Sequence, residues 1–110
     1  MTGNLFTMVI KTYAVDALSY RIAGEIDDEI ESKEGGDKQA NKVSVVRRHA
    51  LEASICKILG SENLHYVAQN AVFIHGGYGY LNEYQVERLY RDNIVDMIYE
   101  GTNDVNRMVI

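Results

Sequence analysis

A chain of 110 residues with 46% apolar content holds one domain at most and suits a folded protein rather than a disordered one. Its net charge of -5, from 16 acidic and 11 basic residues, argues against nucleic acid as the main partner, because phosphate binding needs a concentrated basic surface. A single cysteine, Cys56, excludes an intrachain disulfide, and no apolar run approaches the roughly 20 residues that span a bilayer.

Leu5, Met8, Thr12, Val15, Ser19, Ile22 and Ile26 recur at steps of three and four, which predicts a first helix from about Asn4 to Ile30. Val9, Ala23 and Ile30 are expected to widen its apolar stripe. The stretch from Glu31 to Asn41 carries Gly35-Gly36 amid charge and reads as a turn. Acidic residues crowd from Glu25 to Asp37, and Lys38, Lys42, Arg47, Arg48 and Lys57 follow. That pattern suits a solvated helix end meeting the next helix start.

A second, long helix is expected to begin between Lys38 and Val43 and to reach His75. Ala53, Cys56, Gly60, Leu64, Val67 and Ala71 form its main stripe, and Cys56 reads as a small buried hydrophobe. Gly60 in mid-helix implies close approach of a neighbour or a bend, of which close approach is preferred. Gly76-Gly77-Tyr78-Gly79-Tyr80 ends this helix. A short helix from Glu83 to Asp92 follows, with Asn82 as cap and Gln85 reciprocating. After an irregular link from Ile94 to Glu100, Thr102 is expected to cap a last helix, with Val105, Met108 and Val109 at its apolar positions. The apolar ending suggests that this helix is truncated. The fold class is therefore all-α, an antiparallel helical bundle over 1–110.

His49, His65 and His75 are not at metal-ligand spacing, and neither a nucleophile elbow nor a Walker-type phosphate loop is present. The Gly76–Gly79 stretch follows a helix instead of joining a strand to one, so it fails as a dinucleotide fingerprint. Helix stop and ligand-contacting loop both stay open for it. Glu100, between Tyr99 and Gly101, is an ordinary loop carboxylate or a short-reach base that desolvation would tune.

Three blocks then stand in order: Ala71-Val72-Phe73-Ile74-His75-Gly76-Gly77-Tyr78-Gly79-Tyr80, Val86-Glu87-Arg88-Leu89-Tyr90-Arg91-Asp92 and Ile98-Tyr99-Glu100-Gly101-Thr102-Asn103-Asp104. Together they resemble the end of an acyl-CoA dehydrogenase, and the wording leans toward the long-chain and very-long-chain branch. The resemblance implies a C-terminal helical bundle whose N-terminal helical and middle β domains are missing, and FAD held between domains of two subunits of a homodimer or homotetramer. It implies a fatty acyl-CoA substrate oxidised to trans-2-enoyl-CoA in β-oxidation, no metal, and an electron-accepting flavoprotein as a further partner. The compartment would be cytoplasmic in a bacterium or mitochondrial in a eukaryote.

By the same resemblance, Glu100 matches the base that removes the α proton, and Thr102 lies near the flavin. Gly76 and Gly77 lie against the pyrophosphate of the partner subunit's FAD. Arg88 and Arg91 read as ion-pair residues with Glu87 and Asp92. Two departures stand out: Phe73 occupies the place of a FAD-binding glutamine, and Gln85 that of a proline. Phenylalanine cannot make the glutamine's hydrogen bond. The chain by itself is expected to be inactive and to self-associate. The alternative reading is a non-catalytic helical oligomerisation or interaction module.

Overall fold

The structure, a computed structural model, describes residues 2–33, 35 and 37–110. Glu34 and Gly36 of the predicted turn, and Met1, lie outside the described residues. The expected all-α architecture is present: α1 (Thr2–Ser32), α2 (Lys38–Arg48), α3 (Ala50–His75), α4 (Gln85–Asp92) and α5 (Asn103–Arg107). Single 3-10 segments cover Gly76–Tyr80 and Asn93–Met97. No helix of the described residues is long and apolar enough to cross a membrane.

α1 and α3 run antiparallel. Their cross-helix partners descend in step: Asn4 with Asn70 at 3.0 Å, Lys11 with Asn63 at 3.2 Å, Ser19 with Cys56 at 3.6 Å. The predicted stripe faces α3 at Met8, Val15, Ile22 and Ile26, and Ile22 is buried. Val9 does not widen that stripe. It is 66% exposed on the opposite flank, together with Phe6, Tyr13 and Tyr20. Cys56 is half-buried rather than buried.

The expected single long helix is two. It breaks at His49, whose φ of -89° and ψ of 15° leave the helical region. No glycine or proline marks the place. The interruption coincides instead with a contact across to α1, where Glu29 Oε2 lies 3.1 Å from His49 Nε2 and the other carboxylate oxygen pairs with Arg48. α2 is capped by Asp37, whose carboxylate accepts from the Gln39 N–H at 2.9 Å, and its Val45 is fully buried. The helix runs without interruption through Gly60. A Cβ built there would sit 3.8 Å from Val15 Cγ1, so α1 approaches closely enough for ordinary contact and no closer.

α4 starts two residues later than predicted. Tyr84 takes the capping position without a side-chain bond, so the Asn82–Gln85 pairing does not form. Gln85 occupies the first helical position, the one that favours proline. α4 and the following 3-10 segment dock on α3 through buried Asn93, which lies 2.9 Å from His65 Nδ1 and donates to the Leu89 and Tyr90 carbonyls.

Candidate functional site

Glu100 is the one non-glycine residue with positive φ among the described residues, at 53°, and Gly101 follows at 80°. The left-handed conformation costs an L-residue about 1–2 kcal/mol, so it persists only where neighbours enforce it. Here they are polar. Asn106 Nδ2 lies 2.9, 3.2 and 3.3 Å from the carbonyl oxygens of Gly101, Thr102 and Glu100. Lys57 Nζ, from α3, donates to the Gly101 carbonyl at 2.9 Å and to Asn103 Oδ1 at 2.7 Å. Asn103 Nδ2 donates to Ser61 Oγ at 2.9 Å, and both residues are buried. Arg107 pairs with Glu62 and Asp104.

Thr102 caps α5 as predicted, its Oγ1 accepting from the Val105 N–H at 3.2 Å. That bond leaves its hydroxyl hydrogen uncommitted. The predicted apolar positions of α5 do not pack: Val105, Met108 and Val109 are exposed. The loop and α5 are therefore held to α3 by hydrogen bonds rather than by apolar burial. Lys57, Ser61, Asn103 and Asn106 escaped the sequence reading. Only the i, i+4 spacing of Lys57 and Ser61, and the i, i+3 spacing of Asn103 and Asn106, could have flagged them.

A cleft of about 340 Å³ opens beside this loop, lined by Cys56, Lys57, Gly60, Ser61, Leu64, Asp96, Tyr99 and Glu100. Glu100 itself is exposed, so the desolvation expected for a base is not supplied by this chain. The negative charge of Asp96, with a smaller push from Glu100, holds the Tyr99 phenol above its ordinary value of 10.0.

Gly76, Gly77 and Phe73 stand elsewhere. They lie at the C-terminal end of α3, whereas Lys57 holds the Glu100 loop 19 residues earlier, a separation of roughly 28 Å along the helix. The three glycines divide their work. Gly76 closes α3 with φ of 58°, its N–H donating to the Phe73 carbonyl. Gly79 is packed against backbone, since a Cβ there would fall inside the carbonyl of Val72 and 3.0 Å from its Cα. Gly77 is open, with nothing within 4 Å of a built Cβ. This edge fits a dinucleotide that presses on exposed backbone. Phe73, 67% exposed, adds an aromatic surface and no hydrogen bond. Beside it, Tyr78 packs edge-on against Tyr84 with ring centroids 5.4 Å apart. Arg88 pairs with Asp92 at 3.4 Å and Arg91 with Glu87 at 3.5 Å, all four on α4. No group of three or more metal-ligating side chains converges among the described residues.

The model of the "Acyl-CoA dehydrogenase, C-terminal domain" family matches residues 1–110. A probable acyl-CoA dehydrogenase of Bacillus subtilis is 39% identical over 106 residues, covering 94% of this chain and 18% of that protein. An acryloyl-CoA reductase (NADH) of Anaerotignum propionicum is 48% identical over 59 residues, 54% of this chain and 15% of that protein. The crystal structure of an acyl-CoA dehydrogenase complexed with FAD from Bacillus anthracis matches with a TM-score of 0.85 at 37% identity, over 90% of this chain and 17% of that one. The chain thus spans less than a fifth of the length of each of these proteins. With the family model matching residues 1–110 and the helical bundle shared, the chain belongs to the acyl-CoA dehydrogenase family and falls in its C-terminal helical domain.

Proposed function

We propose that this chain is the C-terminal part of a flavin-dependent enzyme that oxidises a fatty acyl-CoA to trans-2-enoyl-CoA, with Glu100 as the base. The observation that carries this reading is the left-handed Glu100 at the mouth of a cleft, fixed by hydrogen bonds to three successive carbonyls. Backbone strain enforced in this way belongs to sites where a side chain must be aimed.

The Glu100 carboxylate takes the α proton of the thioester, and the Cα–H electron pair forms the new double bond. An α proton is too weakly acidic for a free carboxylate, so the thioester carbonyl must be polarised by fixed donors. The Glu100 N–H is one such donor. A bound FAD would supply the hydride-accepting chemistry that the β hydrogen requires. Thr102 would face that cofactor with its uncommitted hydroxyl hydrogen. Gly76, Gly77 and Phe73 would hold the dinucleotide of a second subunit, and the roughly 28 Å between the two groups of residues supports that division. The acyl-CoA and the closure of the other domains would supply the desolvation that Glu100 lacks here.

The similarity to an acryloyl-CoA reductase favours a second direction for the same chemistry. There a protonated Glu100 would return the proton to the α carbon, by microscopic reversibility. Replacing Glu100→Gln in the complete flavoprotein tests both directions. Retained FAD with turnover reduced by at least about a thousandfold is expected, from loss of a general base and its charge. Near-normal turnover would remove Glu100 from the chemistry.

A further inference from the structure

We infer that Lys57 is a positioning residue, a clamp on α3 that sets the left-handed turn at Glu100 and so aims its carboxylate. This inference rests on the reading of Glu100 as the base. Three features carry it. Lys57 Nζ reaches 44 residues along the chain to the Gly101 carbonyl and 46 to Asn103 Oδ1, on both sides of Thr102. The Gly101 carbonyl also accepts from Asn106 at 2.9 Å, so both of its lone pairs are engaged and the peptide following Glu100-Gly101 is fixed in orientation. Lys57 is also the one cationic side chain lining the cleft that Glu100, Asp96 and Tyr99 share.

This ammonium is the link from α3 to the peptide that follows Glu100. Asn103, 6% exposed, is oriented by three neighbours on α3: its Oδ1 accepts from Lys57, and its Nδ2 donates to Ser61 and Glu62. α5 buries no apolar side chain, so polar contacts hold it to α3: Asn103 with Ser61 and Glu62, the Arg107–Glu62 ion pair, and Lys57, the one that reaches the Gly101 carbonyl. Without the ammonium, the Gly101 carbonyl keeps only the contact from Asn106, five residues along the same chain segment. The remaining ties to α3, from Asn103 and Arg107, hold α5 in place, but none of them reaches the Glu100-Gly101 peptide. The carboxylate would then sample several directions, and proton abstraction depends steeply on geometry.

The complete flavoprotein carrying Lys57→Met, of similar length without charge, tests this. The probe is 3,3-dimethylbutanoyl-CoA, which has α hydrogens and no β hydrogen. Its α-hydrogen exchange in deuterated water reads the base without any redox step. Lys57→Met should exchange at least tenfold more slowly than wild type at unchanged FAD content, and Lys57→Arg should recover part of the rate by restoring a charged donor. A merely structural role would lower FAD content and stability and leave the per-site exchange rate and the arginine recovery unmoved. Wild-type exchange in Lys57→Met, with exchange abolished in Glu100→Gln, would overturn the clamp and leave the base in place. Wild-type exchange in Glu100→Gln would overturn the base reading instead. Lys57→Gln, which cannot reach both acceptors, replaces the methionine variant if that one does not fold.

Discussion

At the residue scale, Glu100 is the place where stability and function pull apart. Its φ of 53° suits glycine, not glutamate. Replacing Glu100→Gly should relieve the strain and, after the added freedom of the unfolded chain, raise stability by up to about 1 kcal/mol. A shift of the urea midpoint upward with an unchanged slope would show it, and a downward shift would mean that the turn is not strained. The same substitution removes the proposed base, so the gain in stability would accompany loss of turnover. Tyr99 reports on the charge next to it. The fold favours its neutral phenol, chiefly through Asp96, so the phenolate should form above 10.0. Any stability that this phenol contributes is present at neutral pH and is lost as pH rises through its folded value. Ultraviolet titration against a Tyr99→Phe control reads this directly. Asp96→Asn should lower the midpoint more than Glu100→Gln does, and equal effects would contradict the order of the two charges. Glu100 and Thr102 could be named as candidates from the sequence because their motif is contiguous, and the structure bears out the cap at Thr102. The Lys57–Asn103 clamp was not, because its partners lie 46 residues apart and no local pattern joins them.

At the element scale, the three-four repeats of α1 and α3 pointed to the two helices that pair, but not to what the pair buries: of the two stripes only Ile22 is buried, while Leu5 and Leu64 are each 46% exposed. What they concealed was the interruption at His49, since Glu29 lies 20 residues away on another helix and nothing local breaks the pattern. The start of α4 was misplaced because Asn82 and Gln85 have the residue types of a capping box without forming one. Glycines separate packing from composition most cleanly. Gly60, read as the tightly approached glycine, and Gly79, read only as part of a helix stop, have the opposite tolerance in the structure. A methyl at Gly60 meets Val15 at an ordinary 3.8 Å inside a continuous helix. Gly60→Ala should therefore stabilise by about 0.5–1 kcal/mol through helix propensity. A methyl at Gly79 meets the backbone of Val72, which cannot rotate away. Gly79→Ala should destabilise by about 3 kcal/mol, the upper range for overpacking. Thermal unfolding of the two variants beside wild type measures both signs, and a destabilised Gly60→Ala would mean that α1 lies closer than the contact indicates.

At the scale of the whole molecule, the helices form an elongated body with more surface than they can cover. Its extents are 60 × 26 × 25 Å and its radius of gyration is 17.8 Å, against roughly 13 Å for a compact chain of this length. The accessible surface of 8000 Å² exceeds the roughly 6100 Å² expected from the mass scaling of compact monomers by about 1900 Å². The cause is visible on α1. One flank, with Val15 and Ile22, packs on α3, while Phe6, Val9, Tyr13 and Tyr20 line the other and stay exposed. A helix apolar on both flanks belongs between two layers, and here only one layer is present. We therefore expect the chain to self-associate. Removing about 1000 Å² of apolar surface from water grosses on the order of 25 kcal/mol. The cost of association, about 4–15 kcal/mol plus side-chain ordering, leaves a margin for a micromolar or tighter complex. A symmetric dimer is the simplest closed form, because the same flank then covers itself. Sedimentation equilibrium at micromolar concentration should give a mass of twice 12.4 kDa or more. Val9→Lys with Tyr13→Lys, one helical turn apart on the exposed flank, should return the chain to a monomer by placing like charges at the centre of the contact. A wild-type monomer that unfolds cooperatively would show that the exposed flank is tolerated in water, and a dimer unchanged by the two lysines would place the contact on another face.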